Sequence, residues 1–510
     1  MTKLMIMKKI LNFIVIAFTL TITFSCNLDL APENVIVDEI TYKDSSTAEA
    51  ALIGAYTRLN ASISGAPTGV NNYANSGYFI LFSEIGTPTL TVRSNSSFVN
   101  MVTSQYNSSD HDGFIQSIWG TTYNAIDYAN NVIANIEKYG HYSTSAMKRH
   151  IAEAKFIRAY EYLVLLQAYG DGALTGDMNG LGVIMRLKPY DGYNPKDIQA
   201  RVTVGETYNQ IITDLNEALN DLPNGTANTL VSRTRASKTA AFALLSRVYL
   251  YRGTYKNDLQ DMQMAANYAD SVINNTKGFN FSTSYTEHAN NMFPLNSTGT
   301  ETNSTNYSSE VILLSPCYSS ANNYSNGLGS YFYNKSYFYV DLDFAGIYAA
   351  GDRRGYIDPA TATSLLWYGS STSNPNDLTS YKYNNGGGYN NVIYLRVSEA
   401  KLTKAEALAR INGINDVSIA QLNDIRRRPF STKPAALTAA NFATPQALID
   451  EILLERMKEL AFEGHTRWDL IRTGRALRDP SVTNDRKILP IPNYDINISY
   501  GVIIQNKGYR

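Results

Sequence analysis

The chain has 510 residues, of which 17% are charged, and a formal net charge of −1 at pH 7. A nearly neutral chain without clustered lysine and arginine is not expected to bind nucleic acid. Its 37 tyrosines stand against 18 phenylalanines and 3 tryptophans. Such an excess of tyrosine is typical of hydrated recognition surfaces. The alternative for many of these residues is packing in the aromatic core.

The N-terminus carries an export signal. Lys8 and Lys9 precede an apolar run over residues 10 to 24, which is shorter than the roughly 20 apolar residues that a membrane-spanning helix needs. Ser25 and Cys26 follow directly, and this order resembles the lipobox of bacterial lipoproteins. We therefore expect a signal peptide over residues 1 to 25, acylation of Cys26 and a tether over residues 26 to 45. An ordinary signal peptide cleaved nearby is the alternative.

Helical periodicity recurs along most of the chain. The pairs 236 to 252 with 259 to 274, and 397 to 411 with 417 to 427, resemble tetratricopeptide hairpins, with Gly253 expected as the turn of the first pair. Further helices are predicted from residue 47 onward and over residues 114 to 139, 146 to 169, 204 to 222 and from 445 to just before Gly464. The sequence thus predicts a mainly α fold built on tetratricopeptide-like helical hairpins.

A long segment between the hairpins has a different composition. Residues 281 to 396 are rich in Ser, Asn, Thr, Gly and Tyr, as in SSANNYSNGLGSYFYNKSYFYV and YKYNNGGGYNN. Long loops on a rigid scaffold usually carry binding residues, and this stretch is too aromatic for solvated coil. We expect one domain over residues 46 to 510. Its helical scaffold covers about 46 to 280 and 397 to 428, its loop-rich ligand-binding part about 281 to 396, and its C-terminal region 429 to 510.

Several segments, in order along the whole chain, resemble one family. They are FSCNLDLAPENV, WGTTYNAIDYANNVIANI, AKFIRAYEYLVLLQAYGDGAL, ASKTAAFALLSRVYLYRGTY, VIYLRVSEAKLTKAEALAR, LLERMKELAFEGHTRWDLIRTG and ILPIP. Together they resemble the SusD/RagB family of outer-membrane nutrient-binding lipoproteins.

The resemblance implies a mainly helical domain on the outer face of the outer membrane. It also implies a partner, a SusC-like TonB-dependent transporter, over whose mouth the lipoprotein acts as a lid. The implied cargo is an oligosaccharide, and a peptide or another nutrient is the alternative. Catalysis is not part of what the resemblance implies.

Enzymatic chemistry finds little support in the sequence. The alternative enzyme class is a glycoside hydrolase. Such an enzyme needs two carboxylates that face each other across the scissile bond. The pairs Asp110 and Asp112, and Asp341 and Asp343, are instead expected to cap helices or stabilise turns. The histidines and cysteines lack zinc-ligand spacing, and we predict neither a metal nor another cofactor.

Binding is therefore expected to rest on aromatic side chains, which take the apolar faces of sugar rings. Trp367 and Tyr368 are the first candidates as a platform. The next candidates are Tyr324, Tyr331 and Tyr333, and an opposing wall is expected from Tyr73, Tyr78 and Phe98, because the resemblance implies ligand contacts from both regions. Core packing is the alternative for each of them. Trp119 and Trp468 are assigned to the core.

The stretch ELAFEGHTRWDL, residues 459 to 470, holds carboxylates beside a histidine and looks catalytic. We expect it to be a structural corner instead. Glu455, Glu459 and Glu463 form a charged row on a helix that begins at Pro445. The expected counter-charges are Arg456, Arg467 and Arg472, and His465 is expected to cap the bend.

Overall fold

A computed structural model describes residues 38–60, 77–94, 98–106, 112–171, 176–227, 230–284, 292, 308–315, 328–332, 337–355, 367–369, 378–383 and 391–510. In these ranges most residues of regular structure are helical, so the prediction of a mainly α fold is confirmed. Within the same ranges, no helix combines the length and the apolarity needed to cross a membrane.

The helices follow the predicted periodicity closely, and most boundaries agree within a few residues. Their bounds are α1 Asp38–Lys43, α2 Ser45–Asn60, α3 Phe79–Glu84, α4 Val99–Val102, α5 Asp112–Tyr139, α6 Thr144–Tyr169, α7 Val204–Asp221, α8 Leu230–Arg233, α9 Lys238–Lys256, α10 Leu259–Ile273, α11 Leu328–Phe332, α12 Leu342–Gly346, α13 Val397–Asn412, α14 Asp416–Arg427, α15 Pro445–Leu460, α16 Thr466–Arg472 and α17 Asn493–Ile498. Helix α1 lies inside the stretch that was expected to be a tether.

The described strands are short and form three small antiparallel sheets. Their bounds are β1 Leu90–Val92, β2 Leu181–Ile184, β3 Arg201–Thr203, β4 Val311–Ser315, β5 Phe338–Val340, β6 Trp367–Gly369, β7 Leu378–Ser380 and β8 Val392–Arg396. Strands β1, β5, β7 and β6 form a four-stranded sheet in that order, while β2 pairs with β3 and β4 with β8. Strand β8 leads directly into α13, so the second of the predicted hairpins starts from a buried strand.

The first predicted hairpin is formed by α9 and α10, but its turn is not at Gly253. Asn257 ends α9 in the left-handed backbone region, with a φ of 53°, and Asp258 caps α10 by accepting a hydrogen bond from the Gln260 N–H. Gly253 lies inside α9, where a Cβ atom would come within 2.7 Å of the Asp261 Cβ. The prediction was wrong because this glycine serves a close helix crossing rather than a turn.

The helices pack pairwise around one large apolar core. Helices α5, α6 and α7 pack in sequence order, and α10 packs on both α9 and α13. Trp119 of α5 and Trp468 of α16 are both buried in this core, as predicted. The Trp468 ring stacks on Phe79 of α3 at 5.4 Å between ring centroids, so the C-terminal region closes on an early helix.

Candidate ligand-binding site

Phe98 lies at the centre of an aromatic cluster that draws on two distant parts of the chain, residues 78 to 114 and 331 to 338. Its ring centroid is 6.1 Å from that of Phe114, 6.3 Å from Tyr331, 5.7 Å from Tyr337 and 5.2 Å from Phe338. Tyr78 joins through Phe114, at 4.8 Å. We call these six residues, Tyr78, Phe98, Phe114, Tyr331, Tyr337 and Phe338, the aromatic cluster. Three of the predicted residues, Tyr78, Phe98 and Tyr331, therefore lie together.

The four-stranded sheet connects this cluster to the predicted platform. Strand β5 carries Phe338 and pairs with β1, with Val92 opposite Phe338. At the other edge, the backbone of Trp367 pairs with Ser380 and that of Tyr368 with Thr379. Three strand spacings separate β1 from β6, so the two edges lie about 14 Å apart. Both groups of predicted residues thus belong to one small sheet and the helices beside it.

Exposure differs sharply within the aromatic cluster. Tyr331 and Phe338 are buried, Tyr78 and Phe98 are half-buried, and Tyr337 is 40% exposed. A ring face must be accessible to stack on a ligand, so Tyr337 is the cluster member best placed for contact. Tyr337 was not among the residues predicted from the sequence. The signal was the run YFYNKSYFYV, in which Tyr337 comes just before strand β5.

Four of the predicted residues lie outside the described part of the structure. They are the acylation candidate Cys26 and the binding candidates Tyr73, Tyr324 and Tyr333. For Trp367 and Tyr368 the structure gives the backbone pairing in β6. The predicted roles of all nine site residues stay predictions.

Asp341 illustrates the polar chemistry beside the sheet. One carboxylate oxygen accepts from the N–H groups of Asp343 and Phe344 and so caps α12, as expected. The other oxygen accepts from the Thr91 hydroxyl at 2.7 Å and from the Arg478 guanidinium at 2.6 Å. Burial alone would raise the pKa of Asp341, but these donors lower it below its usual range. Asp341 is a structural anchor between β1 and β5.

The catalytic-looking stretch is a buried network of ion pairs, which we call the C-terminal corner and define as residues 455 to 472. The Glu459 carboxylate accepts from Arg396 at 2.7 Å and from Arg428 at 2.6 Å, and Glu463 accepts from Arg396 at 2.7 Å. Arg354 contacts Glu455 at 2.6 Å. The charged row is therefore real, but its cations come from other segments of the chain.

The arginines of the corner itself have different partners from those predicted. Arg456 pairs with Asp469 at 2.7 Å, and Arg472 pairs with both Asp469 and Glu406. Arg467 donates to backbone carbonyl groups, including that of Phe82 at 2.9 Å. The predicted pairing with the glutamate row was wrong because these side chains leave the row and hold α16 against α3 and α13.

His465 occupies the N-cap position of α16, but its side chain makes no capping hydrogen bond, so that prediction was also wrong. The side chain is buried, and within the described residues its Nδ1 has no hydrogen-bond partner. Burial, with nearby Arg247 and Arg456, lowers the pKa of His465 well below its ordinary value, so the imidazole is neutral. Among the described residues, no group of three or more His, Cys, Asp or Glu could hold a metal ion.

The corner also supports the candidate site mechanically. Lys382, just after β7, donates to the carbonyl groups of Glu459 and Ala461 at 2.8 and 2.9 Å. The Tyr383 hydroxyl donates to the Phe462 carbonyl at 2.9 Å. Phe332, the neighbour of Tyr331, packs on Phe462 at 5.1 Å between centroids. The sheet and the aromatic cluster are thus fastened to the C-terminal corner.

Comparison with protein families gives two matches that follow each other along the chain. A SusD-like model, described as starch-binding and associating with the outer membrane, matches residues 38–250. A SusD/RagB model, described as the SusD family, matches residues 246–480. The second match includes the five strands β4 to β8 and the C-terminal corner.

Individual relatives agree with these matches. A SusD-like protein from Bacteroides ovatus is 26% identical and covers 92% of this chain and 83% of its own length. SusD-like protein P2 from Formosa agariphila is 24% identical, covering 95% of this chain and 94% of its own. A SusD superfamily structure from Bacteroides thetaiotaomicron superposes with a TM-score of 0.70 at 24% identity, covering 91% and 99% of the two chains.

A laminarin-binding SusD-like protein of known structure is also similar in fold. It has a TM-score of 0.65 at 20% identity and covers 92% of this chain and 100% of its own. Consecutive family models, full-length relatives and a shared fold all lead to the same assignment: this chain is a SusD/RagB-like protein.

Proposed function

We propose that this protein binds an oligosaccharide at the cell surface and delivers it to a TonB-dependent transporter of the outer membrane. The observation that carries the proposal is the aromatic cluster around Phe98, with its exposed Tyr337, on the sheet that also contains Trp367 and Tyr368. Aromatic faces take the C–H faces of sugars, and phenol hydroxyls bond to sugar hydroxyls. A starch-binding family description and a laminarin-binding relative support this ligand class.

The proposed place of action follows from the N-terminus and the family. Cys26 is the proposed acylation site, and the lipid would hold the protein at the outer membrane. The description of the matched family model names the same membrane. The transporter, a SusC-like protein, is the proposed receiver of the bound glycan. This lid-and-transporter arrangement rests on the family resemblance.

The ligand class can be tested by calorimetry on a Cys26→Ser form, which cannot be acylated. We expect it to bind members of a panel of malto-, laminari-, xylo- and manno-oligosaccharides, and we expect Trp367→Ala to weaken that binding about tenfold. Leu259→Asn, at an exposed apolar position on α10, is the matched control and should bind like the parent protein.

Two results would overturn the proposal. Heat release with peptides and none with saccharides would assign the site to a peptide-binding protein of the same architecture. Release of reducing ends from a saccharide by the purified protein would show a glycoside hydrolase. Loss of the signal in Leu259→Asn as well as in Trp367→Ala would show that the assay reports general surface damage.

A further inference from the structure

Four exposed tyrosines form a second aromatic surface, which we call the tyrosine patch. Tyr190 and Tyr193 belong to the loop after β2, Tyr494 to α17 and Tyr500 to the turn that follows it; each side chain is more than half exposed. The pKa of Tyr193 is raised by local desolvation and then by a hydrogen bond with Tyr500, and the phenols of Tyr494 and Tyr190 add to the effect. The Tyr193 hydroxyl is therefore hydrogen-bonded to that of Tyr500 and lies near those of Tyr494 and Tyr190.

The loop that carries Tyr190 and Tyr193 is held firmly to α5. The Asn130 side-chain amide donates to the carbonyl groups of Arg186 and Lys188 at 3.0 and 3.2 Å. The Asp127 carboxylate accepts from the Tyr190 N–H at 2.7 Å. A loop fixed at three points presents its rings in a defined arrangement, which lowers the entropy lost when a ligand binds.

The segment that carries Tyr494 and Tyr500 is fixed as well. Ser499 is buried, and its hydroxyl donates to the Ile496 carbonyl at 2.7 Å and accepts from the Ile503 N–H at 3.1 Å. Asp495, beside Tyr494, is hydrogen-bonded to Trp119 of α5. Both halves of the tyrosine patch are therefore anchored to the same long helix.

Tyr500 has a backbone conformation that its side chain does not favour. Its φ is 52°, in the left-handed region, where glycine, asparagine and aspartate are preferred and a bulky side chain is an outlier. Its ring is 80% exposed, so burial on folding offsets little of this strain. Strained residues of this kind are concentrated at functional sites. The fold does not need a tyrosine here, which indicates a role outside the fold.

We propose that the tyrosine patch is a second carbohydrate-binding surface, which takes a further stretch of the same polysaccharide as the aromatic cluster. Converging phenol hydroxyls beside free ring faces suit a ligand that combines hydroxyl groups with C–H faces. Leu187, Val502 and Ile504, which are close to these tyrosines in the sequence, are also exposed apolar side chains. This proposal rests on the proposed function for the identity of the polymer.

Helix α5 gives the separation of the two surfaces along its axis. Phe114 of the aromatic cluster and Asp127, which holds Tyr190, are 13 positions apart on α5, so their Cα atoms lie about 20 Å apart along the axis. A very short oligosaccharide cannot contact two surfaces this far apart, whereas a polysaccharide is long enough to do so. Simultaneous contact makes the second binding event intramolecular and raises the affinity for long chains selectively.

The test compares Tyr500→Asn with the exposed-surface control Leu259→Asn in the Cys26→Ser protein. Migration is measured in native gels that contain laminarin, starch, xylan, pectin or mannan, and calorimetry measures disaccharide and trisaccharide binding. We expect Tyr500→Asn to bind the retarding polysaccharide about fivefold to tenfold more weakly. Its affinity for the short sugars should be unchanged, and its unfolding temperature should equal or exceed that of the parent, because asparagine relieves the backbone strain.

The outcomes separate this proposal from the proposed function. Weaker retardation in Trp367→Ala with parental retardation in Tyr500→Asn overturns the second surface and keeps the first. Parental retardation in Trp367→Ala with weaker retardation in Tyr500→Asn supports the second surface and overturns the first. Parental retardation together with lost co-purification of an outer-membrane protein in Tyr500→Asn assigns the patch to a protein partner and overturns this proposal. If none of the five polysaccharides retards the parent protein, both proposals are wrong.

Discussion

The C-terminal corner and the aromatic cluster are neighbours with opposite chemistry. The corner concentrates buried charges, with Glu459 accepting from Arg354, Arg396 and Arg428. The aromatic cluster is built from rings, and Tyr337 exposes 40% of its surface. The corner has the residue types of an active site, but it is enclosed and its glutamates are paired with arginines from other segments. The cluster has no carboxylate or imidazole among its six members, yet it offers an accessible surface.

The difference shows how each region uses its side chains. A buried ion pair is costly to form and very costly to break, so such residues fix one arrangement of the chain. An exposed ring gains little from folding and keeps its face free for a ligand. We therefore expect mutations in the corner, and in the buried residues that bond to it, to change the free energy of unfolding, and mutations in the cluster to change affinity. The four predictions below test this division, from the largest effect on stability to the smallest.

Arg396→Met should give the largest loss of stability. The Arg396 guanidinium donates to Glu459 at 2.7 Å and to Glu463 at 2.7 and 3.0 Å, and all three side chains are buried. The variant leaves two carboxylates without their shared cation, which should cost about 3–5 kcal/mol in denaturant unfolding. Lys155→Met, which removes a surface pair with Glu217, is the control and should cost less than about 1 kcal/mol. Equal losses would contradict a special role for the buried network.

Glu84 should make stability depend on pH. It is buried where α3 meets the corner, and it accepts from the Phe462 N–H and the Thr466 hydroxyl, each at 3.0 Å. Burial raises its pKa to about 7 despite these donors. The folded state then retains a proton between pH about 4.5 and 7 that the unfolded state has released, so stability falls as the pH rises through this window.

Glu84→Gln isolates that contribution. From pH about 5 to pH about 8, the unfolding free energy should fall by roughly 2–3 kcal/mol more in the wild type than in the variant. The reason is that only the wild type has the Glu84 carboxyl proton to lose. Other titrating groups are shared by the two proteins and cancel in the comparison. Parallel pH profiles would show that the Glu84 carboxylate ionises as readily when folded as when unfolded.

The helical scaffold was largely predictable, whereas the pairing of charges was not. Helical periodicity and capping residues depend only on neighbouring positions in the sequence. The bounds of α9 and α10 could therefore be predicted to within a few residues. The partners of Glu459 lie 31 to 105 positions away, and no local rule selects Arg354, Arg396 and Arg428 over the nearer Arg456. Gly253 was misassigned for a related reason, since a helix crossing and a turn both favour glycine.

The candidate site was predictable only as a region. Aromatic content pointed to Tyr78, Phe98 and Tyr331, and the structure brings these together. The sequence could not show that Tyr331 is buried while Tyr337 is exposed, because that depends on how α11 and β5 pack around Phe98. Nor could it show the four-stranded order β1-β5-β7-β6, which joins strands that are far apart in the sequence.

His465→Ala should have a moderate effect on stability and none on affinity. The buried imidazole borders a small internal cavity with Gln167 and Tyr251, so truncation enlarges an existing void and should cost about 1–2 kcal/mol. Because burial lowers the pKa of His465, the wild type should also lose stability as the pH falls below about 6.5, and the variant should not share this loss. Weakened glycan binding by a fully folded variant would show that His465 takes part in ligand binding.

Tyr337→Ala should have the smallest effect on stability and a clear effect on binding. Its backbone carbonyl still accepts from the Arg93 N–H, at 2.9 Å, so the pairing of β1 with β5 is kept. Removing an exposed ring should change the unfolding free energy by less than about 1 kcal/mol but weaken oligosaccharide binding fivefold to tenfold, about 1 to 1.4 kcal/mol. Leu342→Ala, at an exposed position in the next helix of the same segment, is the matched control and should leave affinity unchanged. Affinity is measured by calorimetry at equal folded fraction. Unaltered affinity in Tyr337→Ala would show that the ligand does not reach the cluster, and the cluster could then no longer be contrasted with the corner as a binding surface.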